Sequence, residues 1–227
     1  MPTKPKSTSA SARVLGNEAF RDCVHLESIV IPEGIQEIQN ACFAGCERLR
    51  TIRLPRSLRR IGIRVFEACT ALKSIDLAEG NRFFSSCDRL LYDQIGKTLL
   101  ACPSGLSGSL HIPEGVEVIN DWAFYGCINL ESISLPKSLR LIGEGAFSYC
   151  TAIHEMEIPS GVRSIGLYAF RACTQLRRIQ LPKDICDIGD FAFEQCSSLR
   201  EIGLENPRPS VRSKKSSDLN RLSPDSQ

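Results

Sequence analysis

Residues 150–172, CTAIHEMEIPSGVRSIGLYAFRA, decide the fold, because they are one copy of a unit that returns every 23 residues. Cys23, Cys46 and Cys69 are 23 apart, and so are Cys127, Cys150, Cys173 and Cys196. Phenylalanine keeps the same step at Phe20, Phe43 and Phe66, then at Phe124, Phe147, Phe170 and Phe193. Proline does so at Pro32 and Pro55, then at Pro113, Pro136, Pro159 and Pro182. Three residue types in fixed mutual register mark a repeat architecture. Between the two blocks the phase jumps by 58 residues, which is two repeats plus twelve.

Within the quoted copy, Ile153, Met156, Ile158, Val162, Ile165, Ala169 and Phe170 fill the apolar slots. One copy earlier, Ile133-Ser134-Leu135 alternates inward and outward as a short strand does. Pro136 ends that strand, because proline has no N–H for a continuing ladder. A second extended segment carries Leu139 and Ile142, Gly143 is the expected bend, Ala146 and Phe147 bring the chain back, and Cys150 closes the coil. One coil cannot bury its apolar side alone. Stacking buries it, so stability becomes a sum of nearest-neighbour interfaces. The pattern predicts a ladder of stacked phenylalanines. It also predicts one parallel sheet holding Ile29, Ile52, Ile75, Ile133, Met156, Ile179 and Ile202. Ser28 and Val30, Thr51 and Arg53, Glu155 and Glu157, and Arg178 and Gln180 then point outward.

The motif LPxxLxxIGxxAFxxC, standing here as Leu135–Cys150 and Leu181–Cys196, resembles the BspA-like, or treponemal-type, leucine-rich repeats of bacterial surface proteins and some protist surface families. The resemblance covers about residues 14–205. It implies a right-handed parallel-strand solenoid of 23-residue coils and a protein-binding role, often adhesion, without naming a ligand. Residues 79–108 leave the step. Leu90–Tyr92 and Thr98–Ala101 flank Asp93–Lys97, which signals a β-hairpin. The stretch is similar to the longer irregular repeat that this family inserts between regular ones, although Arg89 stands where the family has glycine after the Asp. The expected organisation is a disordered segment at 1–12, a solenoid at 13–205 with its irregular repeat at 79–108, and a disordered polar tail at 206–227.

Composition narrows the function classes. The chain has 227 residues, 42% hydrophobic and 24% charged, as ordinary globular domains do. A net charge of +2 gives no specific nucleic-acid signal. No run reaches the roughly 18 apolar residues of a membrane span. The N-terminus lacks the apolar core of a secretory signal, so the chain as it stands is expected in the cytoplasm, and at the cell surface if its N-terminus is incomplete.

Eleven cysteines do not make a disulfide framework here. Seven share one slot, and stacked strands hold equivalent Cβ atoms about 4.8 Å apart, against the roughly 3.8 Å a disulfide wants. They read as buried, inert thiols acting as small hydrophobes. Cys42 falls in the alanine slot and is expected to be buried, and Cys186 exposed. Cys87 and Cys102 face each other across the hairpin if the loop keeps this register, which leaves their pairing open. There is no CxxC or HExxH, and His25, His111 and His154 occupy three different slots, so no zinc site is expected. There is no GxSxG, GxxxxGK[ST] or GxGxxG. The expectation is a protein that is not an enzyme, with no cofactor and no metal.

Two features rise above this background. Arg48, Arg50, Arg53, Arg56, Arg59, Arg60 and Arg64 follow one another with no acid between them, and arginine suits carboxylate or phosphate. A solvated face is the plainer reading. Trp122, Tyr168 and Phe191 share the slot before the alanine, which elsewhere holds Glu18, Ala41, Arg64 and Gly145 and so need not be buried. Aromatic side chains exposed on a rigid scaffold are candidate binding hot spots, with packing onto the next coil as the alternative. The functional expectation is a leucine-rich-repeat scaffold mediating protein–protein interaction with a protein partner, one bearing an acidic surface where the arginines meet it. The alternative is a cell-surface adhesin binding host or matrix proteins.

Overall fold

The computed structural model describes residues 12–204. The two segments expected to be disordered, 1–12 and 206–227, lie outside the described residues except for Ala12. The chain is a solenoid of parallel strands, and each regular coil has three sides. The first is a strand such as Thr51–Leu54, whose residues alternate exposed and buried. Pro55 turns the chain into the second side, a two-residue strand such as Arg60–Ile61. The third side is neither strand nor helix. It is a run of tight turns in which two residues per coil take positive φ, as Trp122 (59°) and Gly126 (72°) do.

All three sides bond to the neighbouring coil. On the third side Trp122 N–H donates to Glu144 O at 2.8 Å, Phe124 to Ala146 at 2.8 Å and Gly126 to Ser148 at 3.0 Å. Pairing every second amide across coils leaves few buried orphan groups on this irregular side.

The one parallel sheet expected on the first side is divided into three. Ser28–Val30, Thr51–Leu54 and Ser74–Leu77 pair with Ile29, Ile52 and Ile75 in register. Ser107–His111 pairs with Asn129–Ser134. Glu155–Glu157, Arg178–Leu181 and Glu201–Leu204 pair with Met156, Ile179 and Ile202 in register. The irregular repeat makes the first break. The second break follows Asn129–Ser134, which pairs with Ser107–His111 through a register slip at Gly108/Ser109 and has no ladder to Glu155–Glu157. The longest continuous sheet lies instead on the second side, where seven strands run from Phe84–Cys87 to Asp187–Ile188.

The expected hairpin is present, with Leu90–Asp93 and Thr98–Ala101 antiparallel. A further strand, Phe84–Cys87, pairs with Leu90–Asp93 through Asp88 and Arg89, both at positive φ (50° and 71°). Arg89 therefore takes the left-handed conformation that glycine adopts more cheaply. Thr98–Leu99 then pairs parallel with Val118–Ile119, so the irregular repeat is built into the second-side sheet. Cys87 lies opposite Leu90 and is exposed, whereas Cys102 is buried, and both are free thiols.

The phenylalanine ladder exists in two blocks. Ring centroids are 5.1 Å apart for Phe20–Phe43 and 6.3 Å for Phe43–Phe66. They are 4.9, 5.3 and 5.5 Å apart along Phe124, Phe147, Phe170 and Phe193. Between the blocks Cys102 N–H donates to Ala123 O at 2.7 Å, and the Ser104 hydroxyl donates to Phe66 O at 3.2 Å. The apolar core divides at the same place.

Six of the seven ladder cysteines are buried, and Cys42 is too. Cys23 departs from the expected burial, because no described coil lies beneath it. The buried thiols are more than small hydrophobes. Cys46, Cys69, Cys150, Cys173 and Cys196 each donate to the carbonyl of a phenylalanine 26 residues earlier, at 3.0–3.2 Å. Nor does Gly143 serve as a bend requiring special φ. A Cβ there would sit 2.7 Å from the Asp121 nitrogen, and one on Gly166 would sit 2.5 Å from that of Glu144. Glycine is needed at this slot so that one backbone can approach the next.

Candidate functional site

The slot of Trp122, Tyr168 and Phe191 is left-handed in every regular coil, from 51° at Ala41 to 59° at Trp122, with Gly145 at 55°. That conformation costs an L-residue roughly 1–2 kcal/mol and is unusual for a bulky side chain. Three of the seven positions nonetheless carry aromatics. The turn aims each side chain away from the core and across the third side.

Two clusters result. In the first, the Trp122 indole lies over Gly145, where a Cβ would collide with ring atoms Cε3 and Cζ3. Trp122 meets Tyr125 edge-on at 5.5 Å, and Tyr125 meets Tyr149 at 5.4 Å. The Arg64 guanidinium stands 5.3 Å from the Trp122 ring and 5.0 Å from that of Tyr125, and pairs with Glu67 at 2.8 Å. Cation–π contacts of this kind contribute about 0.5–1 kcal/mol at exposed sites. In the second cluster, Tyr168 and Phe191 stack at 5.4 Å, Arg171 stands 5.3 Å from the Tyr168 ring, and Arg171 pairs with Glu194 at 2.7 Å. Phe191 keeps 43% of its surface exposed. The packing alternative weighed for these aromatics therefore holds in part: Trp122 covers the next coil, while Phe191 faces solvent.

The arginine run does not form one patch, because a 23-residue coil carries it around all three sides. Arg48 and Arg50 lie exposed before the first-side strand, and Arg53 points outward from it beside Asp76. Arg56 and Arg59 flank the proline corner. Arg60, on the second side, is bound by Glu37 of the previous coil, and that guanidinium holds the Glu37 carboxyl below its ordinary value. Arg64 reaches the third side and joins Trp122. The two sequence features thus meet at one residue pair, brought together where the irregular repeat closes the phase jump.

Tyr125, Tyr149 and Arg171 were not legible as site residues. Each occupies a different slot from Trp122, and position 125 neighbours 149 only because the coils stack. Among the described residues no group of three or more His, Cys, Asp or Glu is placed to hold a metal ion. No described helix is long and apolar enough to cross a membrane.

The model of the BspA type leucine rich repeat region matches the chain in six copies, over residues 6–101 and 93–215. Among solved structures the chain is similar to the pneumococcal vaccine antigen PcpA, at 24% identity and a TM-score of 0.59, covering 83% of this chain and 59% of that one. It is similar to a leucine rich cell surface protein from Faecalibacterium prausnitzii, at 24% identity and a TM-score of 0.58, covering 92% and 66% respectively. It also matches a leucine-rich repeat protein from Eubacterium ventriosum, at 18% identity and a TM-score of 0.62, covering 84% and 70%. These are likenesses of fold. The chain spans less than two thirds of the first two proteins. No curated protein sequence matches it significantly.

Proposed function

This chain belongs to the BspA-type leucine-rich repeat family, and from that premise we propose that it is a protein-binding scaffold whose contact surface is the aromatic and arginine band of the third side. The carrying observation is the placement of Trp122, Tyr168 and Phe191 at left-handed positions where smaller residues are less strained. The left-handed turn belongs to every regular coil, so what sets these three apart is that a bulky ring is carried there. Arg64 and Arg171 stiffen the rings, which lowers the entropy lost when a partner docks. Arg48, Arg50, Arg53 and Arg56 lie on other sides of an earlier coil, so they draw an acidic partner to the solenoid without touching the aromatic band, and Arg60 contributes least because Glu37 neutralises it. The family and the neighbours are repeat proteins, and the reading includes no catalytic role.

The test replaces Trp122, Tyr168 and Phe191 together by Asn, a residue that tolerates the left-handed region. Circular dichroism should match wild type, and chemical cross-linking in the source cells should lose the partners that wild type captures. Equal capture by both proteins sinks the reading.

A second reading is a surface adhesin. It rests on the neighbours described as a vaccine antigen and a cell surface protein. Antibody labelling of intact source cells separates the two: surface label together with binding to immobilised host matrix proteins favours the adhesin, and label seen only after permeabilisation favours the internal scaffold.

A further inference from the structure

Where the irregular repeat meets the second regular coil, the loop Gly80–Phe83 folds back against the proline corner at 55–59. Between them lies a cleft of about 790 Å³. Arg56, Arg59 and Arg82 line it, with Phe83, Gln36 and Gln94, and no carboxylate does. None of the three arginines pairs with an acid among the described residues. Glu79 precedes Gly80 and is exposed but does not line the cleft, and three other nearby acids are held by hydrogen bonds. Glu33 accepts the backbone N–H groups of Arg56 and Ser57, Glu37 is bound by Arg60, and Asp93 accepts from the Lys97 N–H.

The cleft is held open by one buried side chain. The Asn81 amide donates to Pro55 O at 3.1 Å and to Leu58 O at 3.0 Å, while its oxygen accepts from the Phe83 and Phe84 N–H groups at 2.8 and 2.9 Å. All four of its hydrogen-bonding positions are used, so loop and corner move as one body. The loop presents Phe83 with 45% of its surface exposed, and the Arg59 guanidinium stands 5.7 Å from its ring. Three guanidinium groups, none in an ion pair and only Arg56 near a carboxylate, that of Glu33, stand beside an aromatic ring and two side-chain amides, which are the elements of a recognition site.

We infer that this cleft binds an acidic segment of a partner protein, its carboxylates paired by Arg56, Arg59 and Arg82 and an apolar side chain laid against Phe83. Guanidinium forks match carboxylates in two parallel hydrogen bonds. Gln36 and Gln94 each offer a donor and an acceptor, which suits a peptide backbone. A nucleic-acid strand fits less well. It needs a long basic track, whereas the chain carries a net charge of only +2 and the cleft is confined to one corner. The inference rests on the scaffold reading but uses a different surface from the aromatic band.

Isothermal titration calorimetry tests it on the full chain. The probe is an acetylated, amidated peptide of four glutamates flanking a central phenylalanine. The comparison probes are its glutamine counterpart and a single-stranded oligothymidine. The peptide should bind wild type, and the glutamine counterpart should not. Arg59→Gln combined with Arg82→Gln should weaken binding by about tenfold or more, the loss of charge-assisted bonds. Phe83→Ala should weaken it further, and Arg177→Gln combined with Arg200→Gln, on exposed arginines of two distant coils, should leave it unchanged. The triple Asn variant of the aromatic band should still bind the peptide, so failure of the scaffold reading and failure of this one give different results. No heat of binding, equal binding of the glutamine peptide, tighter binding of oligothymidine, or indifference to the Arg59 and Arg82 changes overturns it.

Discussion

The ring of Trp122 occupies the space that a side chain on Gly145 would need, one coil further along the solenoid. Trp122 is the only tryptophan in the chain, so its fluorescence reports on this one contact. Gly145→Ala must displace the indole and also place alanine at a φ of 55°. The expected outcome is a red-shifted emission and a loss of about 1–2 kcal/mol, the usual cost of left-handed backbone for an L-residue. An unshifted spectrum with wild-type stability in urea would mean that the ring does not lie there.

Phe147 has a ring on either side, at 4.9 and 5.3 Å, and no exposed surface. Phe147→Ala should cost about 3–5 kcal/mol, as truncation of a buried phenylalanine does. Coils couple only to their neighbours, so amide exchange should rise first at 124–172 and much less around 23–45. Cys102–Ser104 interrupts the ladder between Phe66 and Phe124 and should act as the barrier. Uniform loosening from end to end would count against it.

The thiols divide by burial. Cys23, Cys87 and Cys186 are exposed and should be alkylated by iodoacetamide in the native protein, with the other eight labelled only after unfolding. Burial pushes the Cys42 thiol to about 11 and that of Cys69 to about 12. The folded state then keeps protons that the unfolded chain releases from about pH 8.5. The stability these thiols contribute is full below that pH and is lost as pH rises toward the folded values. Urea midpoints should fall between pH 8.5 and 11, and Cys42→Ala should flatten the decline. Labelling of Cys150 as fast as Cys186 would refute the burial.

Acid acts on the corners. Hydrogen bonding from Arg60 lowers the Glu37 carboxyl, and the Arg56 backbone N–H lowers that of Glu33. A depressed folded value adds stability above the unfolded carboxylate value of about 4.3, and that stability disappears as pH falls through the folded one. Glu33 is exposed, and Glu37 is half-buried but paired with an exposed Arg60, so the effect is small and sensitive to salt. Denaturation midpoints followed from pH 6 to pH 2.5 should fall less for Glu37→Gln than for wild type. Parallel curves would remove Glu37 from the account.

The sequence by itself determined the coil. Stacking requires each turn to offer the next the same surface, so the same residue types recur at the same step, and Cys46, Phe43 and Pro55 announce buried thiol, stacked ring and strand end before any coordinates exist. It determined the hairpin as well, through two short apolar runs around a turn. Tertiary structure alone decided how the coils meet. The Arg64–Trp122 contact crosses a phase jump of 58 residues and depends on how the irregular repeat is folded between the two blocks, which no local pattern encodes. Asn81 falls in the apolar slot of Ile35 and Leu58, where the repeat gives no reason to expect an amide, yet it joins loop to corner through four hydrogen bonds and so shapes the arginine cleft. The first-side sheet breaks at the irregular repeat and again after Asn129–Ser134, where no change in the repeat marks it. Periodicity specifies what each coil must be, whereas contacts between unlike coils are set by packing geometry, and the candidate surfaces lie at those contacts.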